Sequence, residues 1–246
     1  MNVAAVESNI PRVSCFSHSL QLAVNDGLKQ AEVSKTISVA RKLVGHFNHS
    51  SVAIAALNEQ QARMGESPLK LVQVVTTRWN STFHMMKRLL QLRGSIYNVI
   101  YDDDITKERD RATLDIREKY WDMMKEVAPI LEPLAEATQL LTKDTEPTSG
   151  TVYKILTSLL PYLKTVGMDS APVAEMKIRI RESIMRRFKV NEEGKPHDEI
   201  VTSELCVSAA MDPRAKSLSF MSGDQRITLK EYLKGKLDEE HSDSEL

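Results

Sequence analysis

A mainly α fold with one or two short strands is what this chain of 246 residues predicts, and three observations predict it. Apolar residues recur at helical spacing almost throughout. Alternating patterns of the kind a half-buried strand needs are short and few. The gaps between periodic segments hold the proline, glycine and acidic residues that end helices. Hydrophobic residues make up 41% of the chain and charged ones 27%. That composition is globular rather than disordered, and the length can bury a core in one large domain or two small ones.

The strand candidates are Arg12 to Phe16 and Leu71 to Val75, where β-branched residues follow Pro11 and Pro68. Ser17 to Leu28 reads as helix, interrupted near Gly27. A second helix over Gln30 to Phe47 carries Val33, Ile37, Ala40, Val44 and Phe47 on one face. After a break at Met64 to Pro68, Asn80 or Ser81 caps a helix bearing Met86, Leu89, Leu90, Ile96, Val99 and Ile100. It ends at the solvated Asp102 to Asp104 run. From Arg111 to Leu141 the inward residues are Trp121, Met124, Val127, Leu131, Leu134 and Leu141, with Pro129 and Pro133 expected to split the block into two helices.

Thr148 and Ser149 offer a cap for a helix with Val152, Ile155, Leu159 and Leu163, closed by Gly167 and Pro172. Val173, Met176, Ile180, Ile184 and Phe188 mark the next helix, and Glu192 to His197 is a loop. Helical segments near Ser203 to Ala210 and Gln225 to Leu237 follow. The acidic stretch from Asp238 to Glu245 lacks apolar residues and is expected to be frayed or disordered.

With a net charge of −1, no global field draws the molecule onto nucleic acid, so any such contact must come from local patches. Two segments qualify. Between Thr76 and Ile100 the charged residues are Arg78, Lys87, Arg88 and Arg93, with no acid among them. Between Ala174 and Lys189, Lys177, Arg179, Arg181, Arg186, Arg187 and Lys189 outnumber Glu175 and Glu182. Such runs are also what solvated helix faces look like. The two cysteines, Cys15 and Cys206, give no disulfide framework and no repeated Cys-x-x-Cys pattern, which fits a reducing, intracellular setting. There is no run of apolar residues long enough for a membrane span and no signal-peptide build at the N-terminus.

Two clusters carry chemistry. Cys15-Phe-Ser-His18 could be half of a zinc site, although a structural site needs four ligands and no second pair sits at ligand spacing. It could be a nucleophile with its base, or a buried thiol with a satisfied core histidine. In Thr77-Arg78-Trp79-Asn80-Ser81, an arginine beside a tryptophan offers a phosphate contact and a ring on which an unpaired base could stack. The alternative is a core tryptophan whose neighbour pairs with a carboxylate.

Together, and in this order, the clusters resemble two motifs of hAT-superfamily transposases. The stretch from Ile10 through Cys15 and His18 to Gly27 is similar to their Cys-x-x-His segment, and Thr77 to Ser81 to their Arg-Trp motif. Leu131 to Thr138, the Ser149 to Leu163 helix and Ala210-Met-Asp212-Pro-Arg214-Ala-Lys216 also resemble family segments, the last a Leu-Asp-Pro-Arg-x-Lys motif. The likeness spans about residues 10 to 222 and extends to transposase-derived zinc finger BED domain-containing proteins.

The resemblance implies the helical insertion domain of an RNase-H-like transposase, with the RNase-H-like core incomplete. Residues 1–29 would be a remnant of that core, 30–190 the helical insertion, 191–237 a C-terminal helical segment returning toward the core, and 238–246 the acidic tail. The family's three catalytic acids, which hold two metals for strand transfer, fall outside the matched motifs, so no catalytic residue, metal ligand or cofactor is assigned. Asp212 is then a cap or turn residue. Arg78 and Trp79, followed by Lys87 and Arg88, are the nucleic-acid-binding candidates, and Cys15 and His18 are active-site supports by resemblance. The implied role is a non-catalytic, nuclear, DNA-associated or regulatory scaffold. Its partner is DNA, with a homodimer formed through regions not among these residues and no membrane or small-molecule substrate. A structural or protein-interaction bundle is the alternative, and part of an active transposase is a third reading.

Overall fold

The computed structural model describes residues 15–75, 78–142 and 148–243, with side chains described through residue 239. The α-helices are α1 Phe16–Leu28, α2 Ala31–His49, α3 Ser51–Arg63, α4 Trp79–Gln91, α5 Arg93–Ile100, α6 Glu108–Leu114, α7 Glu118–Leu141, α8 Val152–Tyr162, α9 Ala171–Phe188, α10 Glu204–Met211 and α11 Gly223–Asp243. Short 3-10 turns at Ser149–Thr151, Asp198–Ile200 and Pro213–Ala215 connect them. The fold is mainly α, and among the described residues β pairing is limited to one isolated antiparallel bridge, Val190 with Pro196.

The helices form where apolar periodicity and capping agree. In α2, Val33, Ile37, Ala40, Val44 and Phe47 are all buried, as their spacing requires. Gln30 starts the helix with an unusual cap: its side-chain oxygen accepts from the Glu32 and Val33 N–H groups at 2.8 and 3.0 Å, while its amide nitrogen donates to Glu175 at 3.1 Å. Ser50 closes α2 and opens α3, its hydroxyl accepting from Ala53 N–H at 3.1 Å. Helix α3 was not signalled by a strong apolar stripe, and it buries little beyond Ala53, Ala56, Leu57 and Gln61.

Several expected boundaries are corrected. Residues 12–14 of the first strand candidate lie outside the described residues, and Phe16 opens a helix instead. Leu71 to Val75 is not a strand. Its end and the residues before it bond to side chains, with Leu69 held by Gln61, Lys70 by Arg88 and Val75 by Ser81, and among the described residues it makes no β pairing. Asn80 and Ser81 lie inside the first turn of α4, and Arg78 stands at the cap position without a side-chain cap. Nor does that helix run through to Ile100. It breaks at the buried Leu92, ahead of Gly94, where a β-carbon would press against Met64 at 3.1 Å.

Pro129 and Pro133 do not divide α7, which is continuous from Glu118 to Leu141. A proline inside a helix removes a donor and crowds the preceding turn. Here the two are four residues apart on one side, Pro129 exposed and Pro133 half-buried, while Val127, Leu131 and Leu134 are fully buried on the other. Packing of that face offsets the local cost. Pro172 does not end a helix but sits in the first turn of α9, where its missing N–H is harmless. The acidic stretch continues α11 through Asp243, more helical than its composition suggests, and residues 244–246 lie outside the described residues.

Two compact units interleave along the sequence rather than following it. Unit I is Val24–Ala135 with Thr165–Lys177; unit II is Met1–Ala23 with Glu136–Lys164 and Ile178–Leu246. In unit I the largest fully buried side chains come from α2, α4, α5 and α7, among them Phe47, Met85, Met86, Leu89, Ile96, Met124 and Leu131. A buried ion pair, Lys177 with Asp169 at 2.9 Å, fastens the start of α9 to the turn before it. Both side chains are at most 10% exposed. In unit II, Tyr153 stacks on Phe220 at 5.1 Å, and Phe16 meets Phe188 at 5.0 Å. Gly150 lies so close to Asp212 that a β-carbon would overlap its carboxylate. Asp212 is the turn residue expected of it. It caps Pro213–Ala215 by accepting from Arg214 N–H at 2.9 Å, and the Arg214 guanidinium and N–H together hold its carboxyl below the usual carboxylate range.

Candidate nucleic-acid interface

Unit I builds the surface that carries Arg78 from the loop upward. The loop leaving α3 has little apolar content to bury, so polar groups fix it. Gln61, wholly buried, donates to the Leu69 carbonyl at 3.3 Å and accepts from Leu69 N–H at 2.7 Å, standing in for a neighbouring strand. Arg88 donates to the Lys70 carbonyl. The Ser81 hydroxyl accepts from Val75 N–H at 2.9 Å and lies 2.6 Å from the Arg78 carbonyl. Thr77, the first residue of the Arg-Trp motif, and Thr76 before it lie outside the described residues.

Behind this loop α4 is strongly two-faced. Trp79, Thr82, Phe83, Met85, Met86 and Leu89 are buried. The opposite side shows Asn80, Ser81, His84, Lys87, Arg88 and Gln91, stepping by three and four residues and containing no carboxylate of its own. Arg78 is exposed just ahead of the helix, where the first-turn N–H groups and the helix dipole favour an anion. Arg78, Lys87 and Arg88 therefore reach the surface.

Trp79 does not join them. It is 2% exposed and belongs to the core, so in this arrangement no base can stack on its ring, and its role here is packing. Lys87 is also partly occupied, pairing with Glu132 at 2.5 Å and lying 5.7 Å from the centre of the Phe83 ring. The partners of Arg88 are neutral, the Lys70 carbonyl and the Gln91 amide.

Cys15 and His18 lie in unit II, at the start of α1. Both are exposed, which corrects the reading of a buried thiol beside a core histidine. The buried residue of the segment is Phe16, against Phe188. Among the described residues no three His, Cys, Asp or Glu side chains come together closely enough to hold a metal ion, and no helix is long and apolar enough to cross a membrane. Asp102 to Asp104 sit in the loop after α5, where Asp103 pairs with Arg111.

Sequence reasoning missed Gln61, whose role depends on a loop eight residues away, and it missed Tyr97 and Tyr101. Both tyrosines are exposed, at 56% and 41%, and their rings stack at 4.4 Å. Their spacing of four residues, with Tyr97 in the last turn of α5 and Tyr101 at its C-cap, was the available signal.

The comparisons find helical relatives for this architecture. Residues 13–130 match the family model described as ZBED1 RNase-like helical domain. The chain is 25% identical to human (Homo sapiens) zinc finger BED domain-containing protein 4 over 213 residues, which is 85% of this chain and 16% of that protein. It is 30% identical to human zinc finger BED domain-containing protein 6 over 144 residues, 58% of this chain and 14% of that protein. It is also 24% identical over 177 residues to the putative transcriptional regulator tpeD of Talaromyces stipitatus, covering 62% of this chain and 20% of that one. The chain thus spans a fifth or less of the length of these relatives. It is similar to BED-type zinc finger proteins, with the family-model match falling on residues 13–130.

Proposed function

We propose that this chain is a non-catalytic helical scaffold of a nuclear, DNA-associated regulatory protein. The observation that carries the reading is the carboxylate-free polar stripe of α4, with exposed Arg78 at its N-terminal end and Arg88 and Lys87 along it. Phosphate contacts of this kind are independent of base sequence and position a nucleic acid rather than read it. The printed names of the relatives, two BED zinc finger proteins and a putative transcriptional regulator, agree with such a role. On this reading residues 30–190 act as the insertion, residues 1–29 and 191–237 belong to the core side, and Cys15 and His18 support core geometry. A homodimer would form through regions not among these residues.

The test is binding of the purified chain to short duplex, single-stranded and branched DNA at several salt concentrations. Affinity should fall linearly in log–log form as salt rises, and Arg78→Ala should reduce the slope by about one. Equal affinity for DNA in the wild type and an Arg78→Ala, Arg88→Ala double variant would overturn the reading. So would metal-dependent nicking of plasmid DNA by this polypeptide.

The rival, a purely structural or protein-interaction bundle, draws support from the burial of Trp79 and from the Lys87–Glu132 pair. It would be favoured if no salt-dependent DNA binding is seen.

A further inference from the structure

Of the nine prolines in the sequence, Pro68 alone follows a serine or a threonine. It stands in Ser67-Pro68-Leu69-Lys70, in the loop of unit I that leaves α3. Helix α3 ends at Arg63, and Gly65 takes a φ of +71°, the left-handed value at which a chain turns out of a helix. From Glu66 to Val75 the backbone is neither helix nor strand, so no ladder of backbone bonds has to open for Ser67 to enter the cleft of another protein. Ser67, Pro68 and Lys70 are all exposed. Among the described residues the Ser67 hydroxyl makes no hydrogen bond. The chain just after it is held, by Gln61 on both backbone groups of Leu69 and by Arg88 on the Lys70 carbonyl, while the Lys70 side chain stays in solvent.

An exposed serine followed by proline, with a lysine three positions on, is the pattern that proline-directed protein kinases accept. Proline brings no N–H that the enzyme would have to satisfy, and the lysine adds a charge of the kind by which kinases choose among substrates. In the transfer, Ser67 Oγ attacks the γ-phosphorus of magnesium-bound ATP and gives its proton to the catalytic aspartate of the kinase. The bond from Oγ to phosphorus forms, the bond from phosphorus to the β-phosphate oxygen breaks, and ADP leaves. Ser67 then carries a charge of about −1.5 to −2 at neutral pH. Three residues of chain span at most about 11 Å, which sets the reach from Ser67 to Lys70, and the Lys70 carbonyl meets Arg88 of the α4 stripe. Screening lengths are roughly 30 Å at about 10 mM salt and about 8 Å at physiological salt. The added charge therefore offsets the cations of the stripe in dilute buffer and is largely screened at higher salt.

We propose that Ser67 is a phosphoacceptor for a proline-directed serine/threonine kinase, and that its phosphate repels DNA from the surface of Arg78 and Arg88. The first half stands on the loop alone. The second rests on the DNA reading of α4.

The test incubates the full 246-residue chain with magnesium, ATP and a purified cyclin-dependent kinase, and locates the modified residue by mass spectrometry. The wild type should take up a single phosphoryl group, at Ser67. Ser67→Ala and Pro68→Ala should take up none, Ser67→Thr should be modified, and Lys70→Ala should be modified more slowly. A wild type that stays unmodified, or uptake that persists in Ser67→Ala, would overturn the site. DNA binding is then compared between the modified and unmodified wild type. At about 10 mM salt the modified form should bind at least about threefold more weakly, and the gap should narrow as salt rises. Equal affinities of two forms that both bind would overturn the repulsion and leave the DNA reading standing. Absence of binding by the unmodified chain would overturn the DNA reading and the repulsion together, while phosphoryl uptake still decides the site.

Discussion

Helices α4 and α9 are both rich in cations, yet the structure treats them differently. Along α9 and its exit, Lys177 pairs with Asp169, Arg181 with Glu192 at 3.0 Å and Lys189 with Glu199 at 3.6 Å, while Arg186 and Arg187 donate to the Ser183 hydroxyl. Of the three cations at α4 and its cap, Lys87 pairs with an acid, and Arg88 binds neutral groups. The density of positive charge along a sequence therefore says where cations are, and the acids that come to meet them decide how much field remains. By that measure acids meet at least three of the six cations of α9 and its exit, against one of the three at α4.

The comparison can be broken most sharply at Trp79. Trp79→Ala should lower the free energy of unfolding by about 3 to 5 kcal/mol, the usual cost of emptying a buried aromatic site, measured by denaturant titration. A loss below about 1 kcal/mol would mean that the ring is not core, which would restore it as a base-stacking candidate.

Next in size is Lys177→Ala, which strands Asp169 with little water and should cost about 3 kcal/mol in the same titration. The carboxylate also sets an acid limit. Burial pushes the Asp169 carboxyl up, but the Val166 N–H and the bond and charge of Lys177 outweigh it, leaving the pKa below the ordinary aspartate value. The folded state thus binds fewer protons than the unfolded one as the solution is acidified. The stabilisation is complete above the unfolded pKa of about 4 and is lost as pH falls through the lower folded value. A Lys177→Ala variant should show less of this acid dependence in melting experiments between pH 5 and about 2.5.

Smaller still is Arg78→Ala. It should leave stability within about 0.5 kcal/mol while removing one phosphate contact from the salt dependence of DNA binding. The smallest effect belongs to Arg187→Ala, whose half-buried side chain already bonds Ser183 at 3.1 Å. It should leave the salt slope unchanged within error, and a drop as large as that of Arg78→Ala would erase the distinction between the two helices.

The helical class was readable because α2 and α4 bury whole stripes, and periodicity reports burial directly. The apolar positions Val33 through Phe47 are inside as spaced. Local signals failed where a distant group decided the outcome. Leu71 to Val75 has strand composition, but its neighbourhood bonds Gln61, Ser81 and Arg88 instead of a strand. Pro129 and Pro133 spell a break that packing of Leu131 and Leu134 overrides. At the candidate site the basic character of α4 was legible, and the fate of each side chain was not. Nothing in Arg78-Trp79 states that the ring turns inward, or that Glu132, 45 residues on, reaches Lys87.

The amide of Gln61 has a consequence for experiment. It anchors the approach to Arg78 through a side chain that carries no charge, and the Arg88 contact to Lys70 likewise ends on a neutral oxygen. Dissolved ions compete poorly for such bonds. The loop should keep its form from dilute buffer to concentrated brine, so a weakening of DNA binding across that range would not be the loop coming undone.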